Sequence, residues 1–208
     1  MRPAIPSGAR PVLVAAHPKS AGFDSARIER AVREILLAIG ENPDRGGLIE
    51  TPARVARAYR ELFAGLGEDG GRHLRHQFEH AGGDLVLLRD VTFSSVCEHH
   101  LLPFFGRAHL AYLPGNDRVV GLSKLARAVE AFGRRPQLQE RLGAQIADAL
   151  IADGGARGAT VILEAEHLCL RLRGARSPKA AMRTVAHRGV FAEDAALRQE
   201  VMAALQPR

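Results

Sequence analysis

The chain has 208 residues, enough for one well-buried core with an appended segment. It is 46% apolar yet contains no run of the roughly eighteen apolar residues that a membrane-spanning helix needs. Lys and Arg number 29 against 23 Asp and Glu, and the resulting +6 suits a polyanion such as a nucleotide phosphate, although arginines scattered over a solvated surface produce the same excess.

Residues 1–22 read as a flexible tail rather than a targeting signal, because the apolar stretch at 11–16 is short and runs into His17-Pro18-Lys19. Residues 24–39 carry Ile28, Val32, Ile35, Leu36 and Ile39 at three-to-four spacing, the pattern of an amphipathic helix capped by Asp24 or Ser25 and stopped by Gly40. Thr51-Pro52 predicts a second helix start, with the hydroxyl as cap, running to about residue 64 before Gly65. Residues 67–83 hold five glycines and several histidines and read as a loop or lid. The chain thus divides into a tail (1–22), a helical region (23–83) and a larger domain (84–208).

From residue 84 the period changes. Residues 85–88 and 91–93 predict a strand, and 104–113 a second one closed by the turn Pro114-Gly115-Asn116-Asp117. A helix follows at 123–132, with Leu125, Ala128, Val129 and Phe132 on one side, and Pro136 predicts the start of another that reaches about residue 152. A strand at 159–166, a weaker one at 182–191 and a helix at 194–205 complete the chain. Helices, two strands, two helices, two strands and a helix make an α+β fold with an antiparallel sheet.

Chemistry concentrates in two clusters. Cys97-Glu98-His99-His100 and Glu166-His167-Leu168-Cys169 contain both cysteines and three of the nine histidines. A pair of thiols also allows one disulfide, but a secreted disulfide scaffold of this length carries more cysteines, and histidines beside each thiol favour zinc. Cys97 and His100 have the spacing of two ligands on one turn, and Cys169 offers a third. A fourth position left open defines a catalytic zinc; His99 or His167 filling it defines a structural one. The histidines left over favour the catalytic form, since zinc lowers the pKa of bound water and an imidazole shuttles protons at neutral pH. Gln139-Glu140 pairs an amide with a carboxylate, a pattern that reads a guanine edge but also occurs on solvated helices, and Lys124 and Arg127 share one helix face that by itself reads as solvated.

Four ordered motifs resemble the GTP cyclohydrolase I family: the run from Ser94 to Gly106 around Cys97-Glu98-His99-His100, the run from Val120 to Arg127, the run from Arg135 to Leu142, and Glu166-His167-Leu168-Cys169 followed by Arg173-Gly174. The stretch from Leu48 to Arg57 looks like that family's first helical motif, and the likeness spans about residues 24–205. The resemblance implies a tunnelling fold, a four-stranded antiparallel sheet with two helices inserted after the second strand, assembled as a toroidal decamer. It implies opening of GTP at C8, release of formate and closure to 7,8-dihydroneopterin triphosphate, on the route to folate or tetrahydrobiopterin in the cytoplasm. By matching motif, Cys97, His100 and Cys169 are the expected zinc ligands, and His99 and His167 the acid–base histidines. Gln139 and Glu140 are expected at the guanine, with Glu98, Ser123, Lys124, Arg127 and Arg173 as further substrate contacts, and Arg54 and Arg57 reaching the phosphates from a neighbouring subunit.

The chain departs from the family at 176–187, where a stretch rich in Thr and Ser in many members is largely replaced, Thr184 keeping its hydroxyl, so that Arg183, Lys179 and His187 become candidates for replacing the lost contacts. A divergent relative using GTP for a specialised pterin or deazapurine shares the same first step. A structural-zinc protein that binds nucleic acid is the reading from another class, and an aromatic content of 5% argues against it. Neither nucleic acid nor a membrane is an expected partner.

Overall fold

The computed structural model describes residues 22–80, 82–177 and 179–205; the expected tail at 1–22 lies outside these except for Gly22. Helix α1 (Ser25–Ala38) begins where the Asp24 carboxylate accepts the Arg27 N–H at 2.9 Å, satisfying one of the orphan donors of the first turn. Helix α2 (Thr51–Leu62) has its proline in the first turn, but its cap is Glu50 rather than the Thr51 hydroxyl, and the Glu50 carboxylate pairs with Arg54 at 2.6 Å instead. No residue of α1 is buried and α2 buries only Ala56. Ile35, Leu37 and Ile39 therefore face outward.

The glycine-rich stretch that reads as a loop has structure of its own. A 3₁₀ helix at Gly70–Arg75 buries Gly70, Gly71 and Leu74, and strand β1 (Gln77–Glu79) follows it. Elements this short give no measurable period in a sequence; their register comes from the distant segment they pair with.

Strand β2 (Val86–Cys97) is the single strand expected there, bent by a bulge between Leu88 and Val91 with Asp90 at φ 60°. Strand β3 (Pro103–Leu113) returns antiparallel to it, and β4 (Arg118–Val120) pairs with β1. Helix α3 (Leu122–Gly133) leads to β5 (Pro136–Gln137). Pro136 thus continues the sheet rather than starting a helix: residues 136–137 pair in parallel with Val96 and Cys97, and α4 (Gln139–Ala152) begins only after them. Strand β6 (Gly158–His167), a single turn α5 (Leu168–Arg171), strand β7 (Met182–Gly189), a short α6 (Val190–Glu193) and α7 (Ala195–Leu205) close the chain. The last strand stops two residues before its expected end, where Gly189 turns the backbone at φ 58°.

The main sheet has the order β5-β2-β3-β6-β7, with its four long strands antiparallel and α3 and α4 inserted after the second of them. The α+β class and the antiparallel sheet match the expectation, with β5 and the β1–β4 pair as additions. Leu125, Val129, Leu142, Ile146 and Leu150 of the two helices pack with Phe93, Phe104, Ala108, Leu110, Val161 and Leu163 of the sheet. Phe191, Val201 and Leu205 form a second cluster with Ala111 and Ile162. Each such side chain contributes about 1.5–3 kcal/mol on full burial. This double packing fixes the ends of β2 and β6, which carry both Cys/His clusters.

Gly106 is the tightest point in that arrangement. It lies opposite Ala165, and a Cβ added there would run into the Glu164 carbonyl and the Ala165 Cα, backbone atoms with no side-chain freedom to yield. Gly106→Ala is expected to destabilise the fold by about 1–3 kcal/mol, which thermal unfolding would record as a loss of several degrees.

Candidate active site

Strand β2 ends at Cys97, and the chain reverses over the five residues 98–102 before β3. The Leu101 and His100 N–H groups donate to the Cys97 carbonyl at 2.8 and 3.4 Å, and the Cys97 N–H donates to the Leu102 carbonyl at 2.9 Å. Leu101 takes φ 53°, an uncommon conformation for a side chain of its size, so the turn is held by its surroundings. One surrounding tie is the Glu98 N–H, which donates to the Gln137 carbonyl at 3.1 Å; here the short β5 supports the turn.

Another tie is ionic. Arg141 of α4 grips both oxygens of Glu98, at 2.5 and 3.1 Å, and this hydrogen bonding holds the Glu98 carboxyl below the usual range. Glu98 is an expected substrate contact; in this structure both its oxygens pair with Arg141, which anchors the turn on α4.

Strand β6 delivers the second cluster beside the first, since Phe104 and His167 are register partners. Cys169 follows in α5. Cys97, His100 and Cys169 thereby converge, with their ligand atoms within 4.8 Å of one another and Cys97 Sγ 3.7 Å from His100 Nδ1. A tetrahedral zinc, with bonds of about 2.3 Å to sulfur and about 2.0 Å to nitrogen, sets its ligands roughly 3.5–3.8 Å apart. The set therefore fits with movements of roughly 1 Å at most, and two thiolates with one imidazole are a donor set that zinc favours. Burial and the neighbouring Cys97 push the Cys169 thiol up, so without a cation this pair resists ionising together.

His99 and His100 set their rings edge to face, 6.1 Å between centroids, so adjacent residues point different ways as expected of a turn. His167 is more tightly held. Its ring stacks on Phe104 at 4.5 Å with planes 4° apart, and its Nε2 lies 2.8 Å from Gln139 Oε1. Burial lowers its pKa from the ordinary imidazole value, while the Glu140 charge nearby opposes the shift. Arg173 stands at the outer side of the cluster, its Nη1 3.1 Å from His100 Nε2.

Gln139, expected at the guanine, is turned inward in this structure. It is 1% exposed, and its amide is bonded to His167, to two backbone carbonyls and to the Thr184 hydroxyl, leaving no group for a purine edge. Glu140, the next residue, is exposed. In the 176–187 stretch, Arg183 pairs with Glu164 at 3.2 Å and His187 bonds Thr160 at 2.9 Å.

The remaining expected contacts are not drawn into the cluster. Among the described residues no hydrogen bond or ion pair joins Ser123, Lys124, Arg127, Arg54 or Arg57 to it. Arg127 instead lines an open groove of about 750 Å³ along the outer edge of β2, with Ser94, Glu130 and Arg134. Arg54 and Arg57 are exposed on α2. Phe104 and Arg141 carry no chemistry of their own and were not singled out from the sequence; only strand register and helix placement expose their roles.

An α+β domain that brings two thiols and an imidazole around one point defines the class: a protein with a group able to hold a metal ion, and with two further histidines close by. Within that class the relationship is specific. The family model for GTP cyclohydrolase I matches residues 28–206. GTP cyclohydrolase 1 of Mycobacterium avium is 56% identical over 181 residues, covering 86% of this chain and 89% of the relative. That of Carboxydothermus hydrogenoformans is 53% identical over 180 residues, covering 86% and 94%, and that of Bacillus subtilis 53% over 176 residues, covering 85% and 93%. The chain belongs to the GTP cyclohydrolase I family, and the tunnelling fold comes with that membership.

Proposed function

We propose that the chain is a zinc-dependent enzyme that opens GTP at C8, releases that carbon as formate and closes the remainder to 7,8-dihydroneopterin triphosphate. The observation that carries the reading is the convergence of Cys97, His100 and Cys169 beside a buried, stacked His167 in a chain of this family. Zinc held by those three residues supplies Lewis acidity and brings the pKa of water toward neutrality.

The chain's own residues do the rest. C8 of a purine is a weak electrophile, and a proton placed on N7 draws electron density from it. His167 supplies that proton, and its stacking and hydrogen bond keep the imidazole in one orientation while it does so. His99, on the exposed side of the turn, serves the later proton transfers at the ribose. The exposed Glu140 carboxylate accepts from the N1 and amino edge of guanine, work it does without the side chain of Gln139. Arg173 and, from α3, Ser123, Lys124 and Arg127 take the triphosphate, for which guanidinium groups offer paired donors.

Both outer edges of the sheet support an assembly. Strand β5 covers only Val96 and Cys97 of the β2 edge, and β7 is the last strand on the other side. Open edges on opposite sides of a sheet pair head to tail, and such contacts close into rings. We propose a toroidal decamer in which Arg54 and Arg57 reach the triphosphate of a neighbouring subunit. Its working compartment is the cytoplasm, where its nucleotide substrate is found; among the described residues no helix is long and apolar enough to cross a membrane.

The direct test uses GTP labelled with ¹³C at C8 and protein carrying one zinc per chain. The label is expected to appear as formate. Unchanged GTP, or GDP and phosphate with the purine intact, would remove the reading.

A further inference from the structure

Gln139 sits at the first position of α4 and is 1% exposed, with its side chain directed to where β6 and β7 meet. Its Nε2 donates to the Leu163 carbonyl at 2.9 Å and the Met182 carbonyl at 2.9 Å, with the Thr184 hydroxyl at 3.3 Å. An amide nitrogen has two hydrogens, and two carbonyls that can only accept take them. Rotating the amide by half a turn would set its oxygen against two carbonyl oxygens in a buried site, with no proton between them. The orientation is therefore fixed by chemistry, not by choice of labelling.

The consequence falls on His167. Gln139 Oε1 can only accept, and it lies 2.8 Å from His167 Nε2, so that nitrogen must carry the hydrogen. The Phe104 ring, parallel at 4.5 Å, covers one face of the imidazole and resists its turning away.

We infer that Gln139 is a positioning residue which holds His167 as the Nε2–H tautomer and so makes Nδ1 the nitrogen that exchanges protons with the purine. The inference rests on the acid–base role proposed for His167, but its structural half stands apart from it. A guanine-reading glutamine would need its amide free. Here α4, β6 and β7 are tied together by that amide, and the tie ends on the imidazole. Thr184, in the altered stretch, lies beside this clamp, its hydroxyl 3.3 Å from Gln139 Nε2.

Two readouts test it. Magic-angle-spinning NMR of the zinc-loaded protein with ¹⁵N-labelled histidine, at about pH 8.5 where free imidazoles are neutral, needs no turnover. His167 signals are assigned by their absence in His167→Gln, and a protonated Nε2 with a bare Nδ1 is expected. A bare Nε2 with Nδ1 protonated, or both tautomers in the unmodified protein, would overturn the inference. The second readout is kinetic, on Gln139→Leu, which keeps the side-chain volume and removes the amide. A fall in kcat of about 10- to 100-fold is expected, with the ratio of activities on GTP and on ITP, which lacks the exocyclic amine, unchanged. A shift in that ratio with kcat intact would return Gln139 to the guanine edge. Should the unmodified protein leave GTP untouched, the function proposed above fails while the NMR spectrum still decides the tautomer.

Discussion

Cys169→Ala is expected to lose its zinc, and its turnover of GTP with it. Among the described residues Cys97, His100 and Cys169 are the donors grouped at this point; the first two come from one turn, so Cys169 in α5 is the donor that joins the second cluster to the centre. Structural zinc sites bind with about 10–16 kcal/mol over four ligands, or on the order of 3 kcal/mol each. Removing one of only three protein ligands therefore weakens binding by roughly a hundredfold or more. The fold should survive, because Cys169 is only partly buried, in a single turn that packs against the margin of the core. Elemental analysis after dialysis against buffer checks this, with thermal unfolding of the metal-free proteins as the control. One zinc per chain retained in Cys169→Ala would show that the ligand set is wrong.

His167→Ala is expected to do the opposite: to keep zinc at one per chain and lose turnover by about 10²- to 10⁴-fold, the usual contribution of a positioned acid–base group. His167 stands two residues from Cys169, yet its Nε2 is bonded to Gln139 and its ring lies flat on Phe104. Under the proposed function those contacts orient the ring for proton transfer, and the metal falls to the other three residues. Steady-state kinetics and zinc content measured on the same preparation separate the roles. Loss of zinc from His167→Ala would make it a ligand and refute the division of labour proposed here.

Much of this arrangement was legible in the sequence because its carriers are long. The fourteen residues of α1 and the strands β2, β3 and β6 span enough periods for the apolar pattern to emerge, and the Cys/His spacing survives without any structure. Short elements failed for the same reason. Pro136 looks like a helix start because proline suits that position, and only the distant Val96 and Cys97 reveal that residues 136–137 extend the sheet. The glycine-rich stretch before β2 hides β1, whose partner is some forty residues further on in β4.

Side-chain roles were less legible than side-chain identities. Gln139 and Glu98 are the residue types that bind a nucleotide, and their motif matched. Their partners are carbonyls of Leu163 and Met182 in one case and the guanidinium of Arg141 in the other, and no spacing rule connects them across 24, 43 and 43 residues. Arg54, Arg57 and Arg127 remain apart from the cluster in the single chain.

The most direct measurement is the mass of the product formed when zinc-loaded protein exhausts a supply of GTP. The account predicts a pterin that keeps all three phosphates and has lost C8 as formate, in amounts equal to the GTP consumed. A product with a phosphate missing and the purine ring intact, or no product at all at one zinc per chain, would contradict it.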